Sequence, residues 1–195
     1  MSDISPGYCV DRLPGGQILR LRSEDLTNRL TRELIMQLTE EIQWLAAVKQ
    51  PLIITGNNKF FSAGADLNEV SGLYGPWALE FSEMGQTLMR LVDDFPAPTT
   101  AAISGYCMGG GFDLALACRY RIASPDAVFG HRGAALGLIT GWGGTQRLPR
   151  LVGKGRALEL LIAAEKISAA EALRIGLVDD LADDPVAEAL RLKRK

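Results

Sequence analysis

The residues best placed to do chemistry lie in one stretch, Gly105-Tyr106-Cys107-Met108-Gly109-Gly110-Gly111-Phe112-Asp113. Three adjacent glycines are costly, because glycine loses more backbone freedom on folding than any other residue. Such a run marks a place where backbone must come close to something. An apolar segment, Thr100-Ala101-Ala102-Ile103, leads into it, and a helix-like segment, Leu114-Ala115-Leu116-Ala117, leads out. The first turn of a helix carries N–H groups without intrahelical acceptors and the positive end of the helix dipole. Two readings follow. One is an anion or oxyanion site with the Asp113 carboxylate beside it. The other is tight helix packing with no ligand.

The elements that must position this stretch are read from hydrophobic spacing. Tyr8 to Leu13 and Gln17 to Arg22 flank Pro14-Gly15-Gly16, which predicts a β-hairpin. Asn28 or Thr31 is placed to cap a helix whose buried face carries Leu30, Leu34, Leu38, Ile42 and Leu45. Pro51 to Gly56 reads as a short buried strand, and the loop Asn57 to Asp66 follows. Pro76 opens a second amphipathic helix with Trp77, Phe81, Met84, Leu88, Leu91 and Phe95 inward, ended by Pro96 and Pro98.

A short helix runs from Gly110 to about Cys118, and short strands at 121–123 and 127–129 flank the turn Ser124-Pro125-Asp126. Gly141-Trp142-Gly143-Gly144-Thr145 forms a second glycine-rich loop ahead of helical segments. Ser168 and Glu171 have capping-box spacing, Gly176 stops that helix, 177–181 reads as a strand, and 185–195 as a terminal helix. Strands alternating with helices in this order give an α/β fold.

Composition narrows the function. The 195 residues are 47% hydrophobic and 23% charged, ordinary for a single globular domain. A net charge of −2 offers no electrostatic case for nucleic acid. Cys9, Cys107 and Cys118 show no metal or redox spacing and read as free thiols of a reducing compartment. His131 is the only histidine, so a zinc site built of histidines is excluded and no metal is expected. No apolar run is long enough to span a bilayer, and the first residues lack the pattern of a signal peptide. The expected location is the cytoplasm, with no membrane partner. The glycines do not fit a dinucleotide fingerprint, Gly153-Lys154 is no P-loop, and Ser104 is no nucleophile elbow.

Two loops taken together carry a resemblance. Phe61-Ser62-Ala63-Gly64-Ala65-Asp66-Leu67 and the 105–111 run resemble signature segments of the crotonase (enoyl-CoA hydratase/isomerase) superfamily. So do Phe129-Gly130, 136–139, 141–148 and the stretch from Ile167 to Val178. The resemblance implies a spiral of β-β-α units forming a core at 1–180, with a short C-terminal helical segment at 181–195. Members usually continue through further helices, so the implied form is truncated in its C-terminal helical region. Assembly as a homotrimer or a dimer of trimers is also implied.

The same resemblance implies an acyl-CoA or related acyl thioester as partner, with coenzyme A as part of the substrate and no separate cofactor. Backbone N–H groups of Ala65 and Gly110 would hold the thioester oxyanion. Ala63 would face the adenine, Asp66 would brace the loop, and Lys59 would reach a CoA phosphate. The first of two family glutamates corresponds to Asp113, and the second to Gly133, which has no carboxylate. His131 and Arg132 are the nearest polar groups. His131 could serve as acid or base. Arg132 could bind a substrate carboxylate or phosphate, or pair with Asp113.

The implied activity is a lyase or isomerase passing through an enolate, with Asp113 transferring the proton. Decarboxylation and thioester hydrolysis are the alternatives that Gly133 raises. A non-catalytic acyl-CoA-binding subunit is the alternative from another class. The absence of a Ser-His-Asp set speaks against a Clp-type serine peptidase.

Overall fold

The computed structural model describes residues 2–5 and 7–192. The first half contains β1 (Ser2–Ser5), β2 (Tyr8–Leu13), β3 (Gly16–Leu21), β4 (Arg29–Leu30), α1 (Arg32–Val48), β5 (Leu52–Thr55), β6 (Phe60–Ser62), β7 (Gly64–Ala65), α2 (Leu67–Ser71) and α3 (Pro76–Asp93). The second contains β8 (Thr99–Ile103), β9 (Tyr106–Met108), α4 (Gly109–Ala117), β10 (Tyr120–Ala123), β11 (Val128–Gly130), α5 (Gly144–Val152), α6 (Lys154–Ala163), β12 (Ile167–Ser168), α7 (Ala169–Arg174), β13 (Asp180–Leu181) and α8 (Pro185–Leu192).

Strands β1-β2-β3-β5-β8-β10-β13 form a seven-stranded sheet, and β12-β11-β9-β6 form a second, smaller one. The chain alternates between them. Each of β5, β8 and β10 lies in the large sheet, and each is followed by a strand of the small sheet, β6, β9 or β11. Helices then return the chain to the next large-sheet strand, which pairs parallel with the last. This is the β-β-α spiral that the resemblance implies.

The corners of successive turns stack through backbone hydrogen bonds. Tyr106 N–H donates to Lys59 O at 2.9 Å, and Val128 N–H donates to Gly105 O at 2.9 Å. Gly105 has φ +62°, and a Cβ there would lie 2.1 Å from Lys59 O. Glycine at this corner is therefore required twice, by backbone conformation and by the approach of the preceding turn.

Burial of apolar faces holds the turns together. Leu34, Ile35, Leu38, Ile42 and Leu45 of α1 pack inward, as do Phe81, Leu88, Met89 and Val92 of α3. Phe61, Phe112 and Phe129 fill the centre, each buried. A fully buried side chain of this size contributes roughly 1.5–3 kcal/mol. Buried Arg121 ties the last large-sheet strand to its neighbour, donating to Leu177 O and Cys118 O and pairing with Asp179 at 3.3 Å. Helix α8 covers the other face of the large sheet, where Ala189 meets Ile18, Ile53, Ala102 and Ile122. Among the described residues no helix is long and apolar enough to cross a membrane.

Several local expectations change. Thr31 caps α1 by accepting from Leu34 N–H, whereas Asn28 is buried at φ +52° and its amide donates to Phe60 O and Phe61 O. Trp77 is 57% exposed, because it sits in the first turn of α3, on the solvent side. Ser168 caps α7, but the Glu171 carboxylate turns to Arg156 and Arg174 instead of closing a capping box. Of the strand expected at 177–181 only Asp180–Leu181 pairs. Residues 193–195 of the expected terminal helix lie outside the described residues.

Gly105→Ala should lower folding stability by at least about 2 kcal/mol, since the positive φ and the Lys59 carbonyl both oppose a Cβ. Urea unfolding of the variant beside the parent protein measures this.

Candidate active site

The two glycine-bearing loops meet by their backbones. Gly64, at φ +93°, lies so close to the start of α4 that a Cβ on it would be 2.7 Å from Met108 O and 2.8 Å from Gly110 N. Only a residue without a side chain permits that approach. The first loop is held from behind. Ser62 Oγ donates to Asn28 O at 2.7 Å and accepts from Gly64 N–H at 3.1 Å. β7 pairs parallel with β4, Leu30 opposite Ala65. Asp66 N–H donates toward Leu30 O, and consecutive amides of an extended chain point to opposite sides. The Ala65 N–H therefore faces away from β4.

Gly110 occupies the first turn of α4, and no side chain caps that helix. Its N–H belongs to the set that has no intrahelical acceptor and lies at the positive end of the dipole. Ala65 and Gly110 both line one cavity of about 520 Å³. Ala63, Asp113, His131 and Arg132 line it too. Leu67, Val70, Leu73, Leu136, Leu138 and Ile139 make much of the remaining wall apolar. The structure thus brings together six of the eight candidate residues.

The other two lie elsewhere. Asp66 caps α2, its carboxylate accepting from Asn68 N–H at 2.8 Å, with Arg29 at 3.8 Å. Lys59 is exposed on the β5–β6 corner and does not line the cavity.

Asp113 is 2% exposed, one turn into α4. One carboxylate oxygen accepts from Thr140 Oγ1. The other stands 3.2 Å from His131 Nε2. Among the described residues no aligned hydrogen bond reaches Asp113 Oδ1 or His131 Nε2, so both keep bonding capacity beside the cavity. The His131 ring is 5% exposed and packs on Phe112, ring centres 4.9 Å apart. The pair is also crowded by the N-terminus of α5. A Cβ at Gly144 would lie 2.3 Å from Asp113 Oδ1 and 2.7 Å from His131 Nε2. That helix end brings positive dipole charge to the carboxylate. Asp113 thus pairs with His131 and Thr140, not with Arg132.

Gly133 lines the same cavity, and a Cβ there would lie 2.9 Å from Leu138 O. No carboxylate enters from that position. Cys107, beneath the site, is a poor nucleophile: burial first, then the charge of Cys118 and Asp113, pushes its thiol well above the ordinary range. Among the described residues no cluster of His, Cys, Asp and Glu could hold a metal ion.

Thr140, Trp142 and Gly144 were not singled out from the sequence. The only local signal was the glycine-rich loop 141–145, which gives no hint of contacts 27 to 61 residues away. Trp142 is 4% exposed and lines the cavity beside Gly110.

Comparison with known proteins agrees with this geometry. The sequence model of the enoyl-CoA hydratase/isomerase family matches residues 17–194. A crotonyl-CoA hydratase of Syntrophomonas wolfei is 41% identical over 167 residues, covering 83% of this chain and 64% of that protein. A Bacillus subtilis protein described as a probable enoyl-CoA hydratase is 46% identical over 160 residues, covering 82% and 61%. The chain therefore spans less than two thirds of the length of these curated relatives. The crystal structure of an enoyl-CoA hydratase from Bacillus anthracis superposes with a TM-score of 0.91 at 36% identity, covering 96% of this chain and 75% of that one. DspI of Pseudomonas aeruginosa superposes with a TM-score of 0.93 at 35% identity, covering 98% and 75%.

Thr140→Val should leave the buried Asp113 oxygen without its donor and lower stability by about 1–3 kcal/mol. Thr140→Ser, which keeps the hydroxyl, should recover most of the loss; chemical denaturation of both variants at neutral pH reads the difference.

Proposed function

The chain belongs to the enoyl-CoA hydratase/isomerase family, and on that premise we propose that it binds an acyl-CoA thioester and stabilises the enolate formed from it. The observation that carries this reading is the convergence of Ala65, Gly110 and Asp113 on one largely apolar cavity. The thioester oxygen sits between the Ala65 and Gly110 N–H groups. A preorganised donor of this kind contributes about 3–4 kcal/mol to lowering the barrier, because it strengthens as negative charge develops on oxygen.

Proton transfer falls to Asp113 with His131. At 3.2 Å they act as one unit: a proton taken by either is shared with the other. For an enoyl thioester the pair removes a proton from water, and the resulting hydroxide adds to the β-carbon. The electron pair moves to the thioester oxygen as an enolate held by the two amides. The pair then returns a proton to the α-carbon. For an isomerase reaction it removes a γ-proton and delivers it to the α-carbon through the same enolate. Thr140 holds one Asp113 oxygen and leaves the other for this work. His131 takes the place of the missing carboxylate at Gly133, on the same wall of the cavity. Arg132, exposed on that wall, offers a cation to a substrate carboxylate or phosphate.

A second reading draws on Gly133. With one carboxylate instead of two, the site suits a specialised decarboxylase or thioester hydrolase, in which the two amides do most of the work. In either reading the chain acts in assemblies of its own kind, as a homotrimer or a dimer of trimers, in the cytoplasm, with coenzyme A as part of the substrate and no further cofactor.

A panel of enoyl-CoA and malonyl-type thioesters, assayed with the parent protein and Asp113→Ala, tests the assignment. Turnover of enoyl-CoA that drops at least about 100-fold in Asp113→Ala, with thioester binding retained, is the expected result. Turnover unchanged by the substitution contradicts the role of Asp113. Binding without turnover of any thioester contradicts the enzyme reading and leaves an acyl-CoA-binding subunit.

A further inference from the structure

Trp142 spans the gap between two helices with glycine at each end. At one edge of the indole, a Cβ on Gly85 of α3 would lie 2.1 Å from Nε1 and 2.2 Å from Cδ1. At the other edge, a Cβ on Gly110 of α4 would lie 2.1 Å from Cζ3 and 2.5 Å from Cε3. The five-membered ring therefore abuts α3 while the six-membered ring abuts α4. The orientation is fixed: Nε1 donates to Phe81 O at 3.2 Å, and the Phe81 ring packs at 5.4 Å between centres. The loop carrying Trp142 is tied down as well. Gly141 O accepts from Ser82 Oγ and Gln86 Nε2, and Trp142 O accepts from Arg147, which also pairs with Asp93.

We infer that Trp142 is a positioning residue for the Gly110 amide, a rigid spacer that sets how far the α4 end of the oxyanion site stands from α3. The inference rests on the oxyanion reading of Ala65 and Gly110. An indole has few conformers and close-packed neighbours, so it transmits displacement instead of absorbing it. Glycine at 110 is accounted for on this basis: its N–H serves the cavity while its Cα lies against the indole. Gly85 is the distant end of the same stack. It lies on the buried face of α3 and does not line the cavity.

The distinguishing experiment enlarges the far end of the stack. Gly85→Ala should press the indole toward Gly110 and misplace its N–H without touching substrate. Misplacement of a catalytic group on this scale lowers kcat by about 10- to 100-fold with KM little changed. Gly85→Ala/Trp142→Phe, in which a smaller ring makes room for the new methyl, should recover much of that loss. The carbonyl stretch of bound [1-13C]butyryl-CoA, a saturated thioester, reads the same effect without turnover. The parent protein should shift the band to lower wavenumber, Gly85→Ala should lose part of the shift, and the double variant should regain it.

Gly85→Ala with parental kcat and parental band shift overturns the inference, whatever its melting temperature. A parent protein that binds the thioester with no band shift overturns the oxyanion reading instead. Should Gly85→Ala fail to fold, Trp142→Phe alone decides: a reduced shift supports the spacer, and an unchanged shift and kcat overturn it.

Discussion

The structure depends on a contact between two stretches of bare backbone. Gly64 approaches Met108 O and Gly110 N so closely that a side chain on Gly64 has no room. Because of this, the N–H of the residue after Gly64 and the N–H of Gly110 serve the same cavity. The spiral exists, in functional terms, to deliver β7 and the start of α4 to one place. Its stacked corners, set by Gly105 and by hydrogen bonds between successive turns, fix the spacing at which they arrive.

In the triple glycine, close packing is compatible with the proposed chemistry. Gly109 takes φ +50° to turn the chain from β9 into the helix. Gly111 abuts Ser62, the residue that anchors the first loop, where a Cβ would lie 2.5 Å from the serine Cβ. Gly110 abuts Trp142. Gly109 is demanded by backbone conformation and Gly110 and Gly111 by close neighbours, and those tight contacts hold the helix end still. An oxyanion site gains most from donors that need not move as charge develops. The close packing is thus the means by which the proposed oxyanion site would be preorganised.

Much of this was legible in the sequence, where local pattern carries the information. The apolar spacing of Leu34, Leu38, Ile42 and Leu45 gave α1, and the strand-to-helix junction at 105–113 gave the start of α4. Patterns are silent about contacts between distant residues, and there the reading stopped. Thr140 meets Asp113 across 27 positions, and Trp142 meets Phe81 across 61. The loop 141–145 read as a second glycine-rich loop without a stated contact, yet Gly144 is small because Asp113 and His131 press against it. Trp77 failed in the opposite sense. Its spacing matched the buried face of α3, but among the described residues it stays 57% exposed in the first turn of that helix.

We propose that this cavity lowers the cost of forming a thioester enolate, with Asp113 moving the proton. Exchange of the α-protons of butyryl-CoA in deuterium oxide, followed by proton NMR, tests that step alone, because no β-carbon chemistry is available to a saturated chain. The protein should replace α-protons with deuterium well above the uncatalysed rate, and Asp113→Asn should abolish the exchange. Bound butyryl-CoA whose α-protons exchange no faster than in free solution would contradict it.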